Sequence, residues 1–259
     1  MTRNLFFIIM ALLVGACDKM AEHERLIYEK PEPAQRVVLL EDFTGQRCVN
    51  CPTATEVIAQ LQGEFGSEAV VAVAIHGGPL GFGGSATVTG LATEVGDMYF
   101  QHWNLEYQPI GMVNRRGAKA YSEWTAAVRE ELTHPSPLKL TGKAVMEGED
   151  MAIEVNAFGT DGSTHGKLQL WVTEDSITAL QMMPDGTANR EYVHNHVFRT
   201  AVNGNWGEDF AIGEGEDVAF HYHQPLLPEW NISHLSIIAF VYNEGGVLQV
   251  VKIKVESKV

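Results

Sequence analysis

Two short, continuous apolar runs enclose the segment that most restricts how this chain can fold. Residues 37–40 (VVLL) and 69–75 (AVVAVAI) contain no polar side chain, which is typical of strands buried on both faces. Between these runs, Val57, Leu61 and Phe65 recur at helical spacing. A strand, a helix and a second strand in this order predict a βαβ unit with parallel strands.

A Cys-x-x-Cys motif, Cys48 and Cys51, lies between the first predicted strand and the helix. Two intervening residues make a turn that brings the sulfurs within bonding distance, and the helix N-terminus favours a thiolate. This placement predicts redox chemistry in which Cys48 attacks and Cys51 resolves the mixed disulfide. A static structural disulfide is one alternative. A metal site is another, although two cysteines supply only half of the usual four zinc ligands.

The segment around the cysteines, residues 38–51 (VLLEDFTGQRCVNC), resembles the active-site strand and loop of the thioredoxin family. The resemblance implies that Asp42, six residues before Cys48, is a buried acid that moves protons for the resolving thiol. It also implies that Pro109 is a cis-proline that faces the dithiol and orients a substrate strand. Pro52 departs from the family pattern, and a helix that begins there leaves Cys48 with less help from the helix dipole.

The hydrophobic pattern changes at residues 134–137 (HPSP), where two prolines break a predicted helix and mark a boundary. Beyond it, apolar residues alternate with polar ones, as Ile153 and Val155 do around Glu154. Further strands are predicted near residues 192–201, 217–223, 234–243 and 247–255, with glycine-containing turns between them. About seven short strands predict an antiparallel β-sandwich.

The N-terminal residues 1–16 have the features of a secretory signal. Arg3 is followed by an apolar stretch, residues 5–14, which is too short to span a bilayer. The run that ends at Cys17 (VGAC) resembles a bacterial lipobox, in which the cysteine is acylated. An ordinary signal peptide with a chance cysteine is the alternative. Residues 17–35 are polar and contain two prolines, which is typical of a tether.

Charge and composition exclude several functional classes. The chain has 18 basic and 33 acidic residues and a formal net charge of −15, which argues against nucleic-acid binding. Six glycines lie within residues 77–90, but no Lys-Ser/Thr pair follows them, so they are not a phosphate-binding loop. We therefore expect no cofactor. The expected partners are protein thiols or disulfides of the envelope, and the membrane that receives the lipid anchor.

Several histidines are candidate metal ligands or electrostatic partners. Pairs at i, i+2 on a strand can chelate a transition metal if their strands are neighbours, and surface histidines are the alternative. The two pairs are His194 with His196 and His221 with His223. His76 and His102 are candidates for tuning the pKa of Cys48.

Over nearly the whole mature chain, the sequence resembles the outer membrane protein 28-related lipoprotein family of Gram-negative bacteria. The resemblance is carried by Cys17 and by motifs at residues 40–52, 109–115 (PIGMVNR), 239–243 (AFVYN) and 247–251 (VLQVV). It implies a thioredoxin-like domain followed by a β-sandwich in a surface or periplasmic lipoprotein.

The sequence thus predicts an α/β thioredoxin-like domain followed by an all-β, immunoglobulin-like antiparallel sandwich. The expected segments are a lipoprotein signal peptide (1–16), a tether (17–35), the thioredoxin-like domain (36–133) and the sandwich (138–259).

The leading functional hypothesis is thiol–disulfide exchange by an outer-membrane lipoprotein that carries its lipid on Cys17. Cys48 attacks, Cys51 resolves, Asp42 relays protons and Pro109 shapes the substrate groove. The alternative is a non-catalytic surface protein for binding or adhesion, in which Cys48 and Cys51 form a structural disulfide.

Overall fold

The two apolar runs form adjacent parallel strands in the computed structural model, which describes residues 29–257. They pair in register from Val38 with Val70 to Thr44 with His76, and every residue of both strands is buried. A helix that begins at Cys51 connects the two strands, so the predicted βαβ unit is present.

Three α-helices are described: α1 (Cys51–Phe65), α2 (Glu94–His102) and α3 (Trp124–Glu131). The strands of the first part are β1 (Ala34–Gln35), β2 (Val38–Thr44), β3 (Val70–His76), β4 (Ile110–Val113), β5 (Ala118–Lys119) and β6 (Pro135–Ser136). Those that follow are β7 (Leu138–Glu147), β8 (Asp150–Gly159), β9 (Thr164–Glu174), β10 (Ile177–Met182) and β11 (Ala188–His194). The last are β12 (Val197–Ala201), β13 (Glu208–Ile212), β14 (Asp217–Pro225), β15 (Leu235–Asn243) and β16 (Gly246–Glu256). Short 3-10 helices cover Tyr121–Glu123 and Ile232–His234.

One large sheet contains strands from both parts of the chain. Its order is β14-β8-β7-β16-β15-β9-β12-β3-β2-β4-β5, and β13 pairs with β9. The junction lies at β12, where Val197 pairs in parallel with Ala74 of β3 and antiparallel with Glu174 of β9. The backbone amide of Ala74 also donates to the carbonyl of His196 at 2.8 Å.

The predicted fold class, a thioredoxin-like α/β domain followed by an immunoglobulin-like antiparallel sandwich, is wrong. Strands make up 47% of the described structure and helices 17%, and no thioredoxin-like α/β domain is evident in residues 29–257. The physical reason is the β12–β3 pair, which continues the sheet across the expected boundary. The sheet is also mixed, because β16 pairs in parallel with β7 at Val255 and Ala144.

Residues 31–257 form one compact unit of the fold. The predicted boundary between 36–133 and 138–259 falls within this unit, and separate folding of the two segments stays a prediction. Residues 17–28 of the predicted tether and the signal segment lie outside the described residues.

Three large buried clusters fill the interior of residues 29–257, and a fourth, small one lies at the hairpin formed by β10 and β11. The largest contains residues of β7, β8, β9 and β15, among them Leu170 and Ile237, which are fully buried. A second lies beneath α1 and α3 and contains Ile58 and Trp124. The third combines Phe43 and other residues of the first part with aromatic residues of β9, β12 and β15. Apolar packing therefore joins the two parts of the chain, as the sheet does.

A buried ion pair lies within this third cluster. The guanidinium of Arg115 lies 3.1 Å from the carboxylate of Glu41, and both side chains are at most 2% exposed. The guanidinium also lies over the rings of Trp171, Phe240 and Tyr242, at 5.3, 4.8 and 4.4 Å from their centroids. A cation so placed is stabilised both by its carboxylate partner and by the ring faces.

We expect Glu41→Gln to lower the free energy of unfolding by about 3–5 kcal/mol, because it leaves the charge of Arg115 buried without its partner. Urea unfolding monitored by circular dichroism measures the change. The matched control is Glu64→Gln, which breaks the exposed pair between Glu64 and Arg129. It is expected to change the free energy by less than about 1 kcal/mol. Equal effects of the two substitutions would contradict the role of the buried pair.

Candidate functional site

The candidate site is centred on a disulfide between Cys48 and Cys51, whose Cα atoms are 5.4 Å apart. Cys48 lies in a turn after β2, and Cys51 is the first residue of α1, followed by Pro52 in the first turn. The backbone amide of Cys48 donates to the carbonyl of Gly45 at 3.0 Å. Both cysteines are buried, with exposed fractions of 1% and 2%. The disulfide predicted from the spacing is therefore present, and solvent has little access to it.

A β-hairpin from the distant part of the chain covers the turn that carries Cys48. It consists of β10 and β11, which pair with each other in an antiparallel arrangement. The side-chain amide of Gln181 donates to the carbonyls of Cys48 and Gly45, at 2.8 and 3.3 Å. The backbone amide of Met182 donates to the carbonyl of Gln46 at 2.9 Å. The hairpin is thus hydrogen-bonded to three carbonyls of the turn that carries Cys48.

Gln46, in the same turn, is hydrogen-bonded to the hairpin and to the end of the glycine-rich segment, residues 77–90. Its side-chain amide donates to the carbonyl of Leu180 at 2.9 Å and to that of Thr89 at 3.0 Å. Its side-chain oxygen accepts the backbone amide of Leu91 at 2.8 Å. The side chain is fully buried. All its polar atoms are satisfied, so it is a rigid link between three segments.

A small cavity lies between the hairpin and the body of the protein. Polar groups from β2, β3, α1 and the hairpin meet there. The cavity is lined by Asp42, Thr44, Cys51, Pro52, Thr55, Ala74, His76, Gln181, Tyr192, His194 and Asn195. Of the predicted site residues, Cys51 and Asp42 are therefore brought together in one enclosed space.

Asp42 is the most perturbed acid of this cavity. Its side chain is 1% exposed, and its Oδ1 atom has no hydrogen-bond partner among the described residues. Burial without a compensating charge disfavours the carboxylate and raises the pKa of Asp42 to about 8. At neutral pH the group is therefore mainly a protonated carboxylic acid, which can donate one hydrogen bond.

His76 and His194 face each other across the cavity, with ring centroids 5.4 Å apart. Burial, with smaller contributions from the neighbouring His194 and Arg199, lowers the pKa of His76 to about 3. Burial also lowers the pKa of His194 to about 4. Both rings are therefore neutral at physiological pH. His76 Nδ1 and His194 Nε2 are buried and have no hydrogen-bond partner in the described part of the chain.

Pro109 begins the connection into β4, and the Gln108–Pro109 peptide bond is cis. The adjacent Gln108 is a buried link. Its side-chain amide donates to the carbonyls of Thr44 and Gly77, and its oxygen accepts the amide of Leu80 at 3.0 Å. The residues that line the cavity do not include Pro109. Its role in shaping a substrate groove stays a prediction.

The candidate histidine cluster is not formed. His194 lies on β11, which pairs with β10, whereas His221 and His223 lie on β14, which pairs with β8. His196 follows β11 and has a left-handed backbone conformation, with φ of 59°. In residues 29–257 there is no group of three or more His, Cys, Asp or Glu side chains that could hold a metal ion. His102 packs on Trp206 at 4.2 Å between ring centroids.

Sequence reasoning did not find Gln181 or Tyr192, and considered His194 only as a metal ligand. The contacts of all three depend on how a distant hairpin folds over the cysteines. Their only sequence signal is the turn at Asp185 and Gly186, which predicts a hairpin but not where it docks.

The family profile described as outer membrane protein Omp28 matches residues 96–259, which is more than half of the chain. The chain belongs to the Omp28 family. The resemblance stated from the sequence is therefore confirmed at the level of the family, and so is a location at the bacterial outer membrane. No helix among residues 29–257 is long and apolar enough to cross a membrane. Cys17 lies outside the described residues.

Solved structures extend the comparison for this Omp28 family member. HBP35 of Porphyromonas gingivalis superimposes with a TM-score of 0.66 at 14% identity, covering 86% of this chain and 76% of that chain. At this identity, the likeness concerns the fold alone. A domain of the outer membrane lipoprotein Omp28 from Porphyromonas gingivalis is 24% identical over 48% of this chain and 92% of its own, with a TM-score of 0.36. Curated proteins gave no significant match.

We expect Asp42→Asn to stabilise this Omp28 family member increasingly as the pH rises from about 4 to 8. Folding raises the pKa of Asp42 from 3.8 to about 8. Between these two pH values the carboxyl is ionised in the unfolded state and protonated in the folded state, so the wild type loses stability as the pH rises. The neutral amide removes this loss. The expected gain is on the order of a few kcal/mol at pH 8 and small at pH 4, measured by urea unfolding at each pH.

The control for this prediction is Asp150→Asn, which makes the same chemical change at an exposed position at the start of β8. It is expected to leave the pH dependence of stability unchanged. A constant difference between Asp42→Asn and the wild type from pH 4 to 8 would refute the assignment of a raised pKa to Asp42.

Proposed function

We propose that this Omp28 family member is a non-catalytic binding or adhesion lipoprotein of the outer membrane, in which Cys48–Cys51 is a structural disulfide. The observation that carries the proposal is the enclosure of the disulfide. Both cysteines are at most 2% exposed, and Gln181 of the hairpin is hydrogen-bonded to the carbonyl of Cys48. A disulfide that exchanges with other proteins has to be reached by their thiolates.

A structural role for the disulfide follows from what it holds in place. The turn between β2 and α1 presents the carbonyls of Gly45, Gln46 and Cys48 to the hairpin. The disulfide fixes the end of this turn to the first residue of α1. The cross-link therefore preserves the spacing of the three acceptors to which Gln181 and Met182 bind.

The strands of the second part of the chain offer the contact surface for the proposed binding role. A groove there is lined by residues of β7, β8 and β14. They are Lys143, Val145, Glu147, Ala152, Ile153, Glu154, His221, Tyr222 and His223. His221 pairs across the strands with Glu154, and Glu154 pairs with Lys143. The groove thus combines an apolar floor with charged and imidazole side chains, a composition suited to a polar partner.

Thiol–disulfide exchange remains a second candidate because of one specific observation. Asp42, with a pKa raised to about 8, lines the same cavity as Cys51. A protonated carboxyl at this place could supply a proton to a departing Cys51 thiolate after Cys48 forms a mixed disulfide with an envelope protein. This chemistry requires the hairpin to leave the turn first.

Redox titration against glutathione or dithiothreitol distinguishes the two functions. For a structural disulfide, we expect a reduction potential below about −300 mV and no reduction of insulin. A potential of about −120 to −270 mV, together with a mixed disulfide trapped on Cys48 in the Cys51→Ser variant, would instead support exchange. The Cys48→Ser variant is the matched control for trapping, since it removes the attacking thiol.

The lipid anchor is part of the proposal and rests on the lipobox that ends at Cys17. We expect radioactive palmitate to label the wild-type chain when it is expressed in a Gram-negative host, because acyl chains are attached at that cysteine. Cys17→Ala should abolish the labelling, whereas Cys48→Ala should retain it. Labelling that persists in Cys17→Ala would disprove the anchor.

A further inference from the structure

The hairpin that covers the disulfide connects two strands of the main sheet. It leaves at the end of β9 and returns at the start of β12, and these two strands pair with each other at Glu174 and Val197. Its own strands, β10 and β11, form a separate two-stranded sheet and pair with no other strand of residues 29–257. The base of the hairpin is therefore fixed by the sheet, while the hairpin itself is not part of it.

Both stems of the hairpin have a residue in the left-handed region. Ser176 has φ of 61° and His196 has φ of 59°, a conformation that residues other than glycine rarely adopt. Side chains hold both in place: Asn195 Oδ1 accepts the amide of Ser176 at 3.0 Å, and Asp175 Oδ1 accepts the amide of His196 at 2.6 Å. Backbone rotation at these two adjoining positions would swing the hairpin while the sheet stays intact.

The contacts between the hairpin and the body are few and mostly polar. Hydrogen bonds to the body are made by the side chain of Gln181 and the backbone amide of Met182, and the side-chain amide of Gln46 donates to Leu180 of the hairpin. Tyr192 of the hairpin and Thr55 of α1 also line the same cavity. The apolar part is a small cluster, which contains Leu91, Ala179, Val197 and Ile177. Hydrogen bonds that exchange with water stabilise a closed state only modestly, and such a small apolar contact adds little.

The closed position of the hairpin also leaves three polar atoms buried beneath it without hydrogen bonds in the described structure, which disfavours that position. Asp42 Oδ1, His76 Nδ1 and His194 Nε2 are buried there without a hydrogen-bond partner among residues 29–257. All three residues line the cavity that the hairpin closes. Opening would expose these atoms to water, and their hydration would offset the loss of the few contacts. Such an element is expected to open locally without unfolding the sheet.

We propose that residues 177–194 are a hinged lid, which opens about Ser176 and His196 and controls access to the Cys48–Cys51 disulfide. The inference goes beyond the proposed function and does not depend on it, because it concerns the rate at which the disulfide is reached rather than its potential. With dithiothreitol as the reductant, a thiolate attacks one sulfur and the other leaves as a thiolate. The second thiol of dithiothreitol then completes its cyclic disulfide and releases two protein thiols.

The first test is native-state hydrogen exchange of the full wild-type chain. The amide of Met182 binds the carbonyl of Gln46 and so reports separation of the lid from the body. The amide of Ile238, on the central and buried strand β15, reports global unfolding. We expect Met182 to exchange at least 100-fold faster than Ile238, relative to their intrinsic rates. Equal protection of the two amides would overturn the proposal, since the hairpin would then open only when the protein unfolds.

The second test is the rate of disulfide reduction by excess dithiothreitol, followed by alkylation and quantification of the peptide that contains Cys48 and Cys51. Gln181→Ala removes two bonds between the lid and the turn, so we expect reduction about tenfold faster than in the wild type. The control, Thr178→Ala, lies on the exposed face of the same strand and should stay within about twofold. If Gln181→Ala retains the wild-type fold and the wild-type rate, the lid does not control access.

Discussion

The Arg115–Glu41 ion pair lies where the two parts of the chain meet, and the rest of the structure is arranged around it. Glu41 comes from β2, and Arg115 follows β4. The rings over the guanidinium come from β9 and β15, on the other side of the expected boundary. Removing one partner of a buried ion pair is costly, because it leaves the other charge buried and unpaired. The pair and the rings over it therefore favour one relative position of the two parts.

The position of the disulfide follows from that arrangement. Because β12 continues the sheet from β9 to β3, the hairpin that connects β9 to β12 reaches the turn after β2, where Gln181 donates to the carbonyl of Gly45. The cysteines, which on sequence grounds open a helix at the edge of a sheet, are instead enclosed. A Cys-x-x-Cys segment can thus be inaccessible to other proteins, because its accessibility depends on which other elements of the fold pack against it.

Local elements were predictable and their assembly was not. The βαβ unit was found from apolar runs and helical spacing, and the pairing of Cys48 with Cys51 from their separation, since both depend on neighbouring residues. The β12–β3 pair joins Val197 to Ala74 through a single register position, which no local pattern encodes. The parallel contact of β16 with β7 is equally remote. Gln181 and His194 could not be assigned to the site, because the docking of their hairpin depends on those long-range pairs.

The place of the hairpin in the chain sets an order of events. Cys48 and Cys51 precede residues 177–194 by more than a hundred positions, so they are synthesised first, and any N-to-C export delivers them first. An oxidising catalyst can then reach the two thiols before the segment that encloses them has arrived. The disulfide can therefore form before the hairpin encloses it. In a chain that was not oxidised early, the catalyst would later find the two thiols already enclosed.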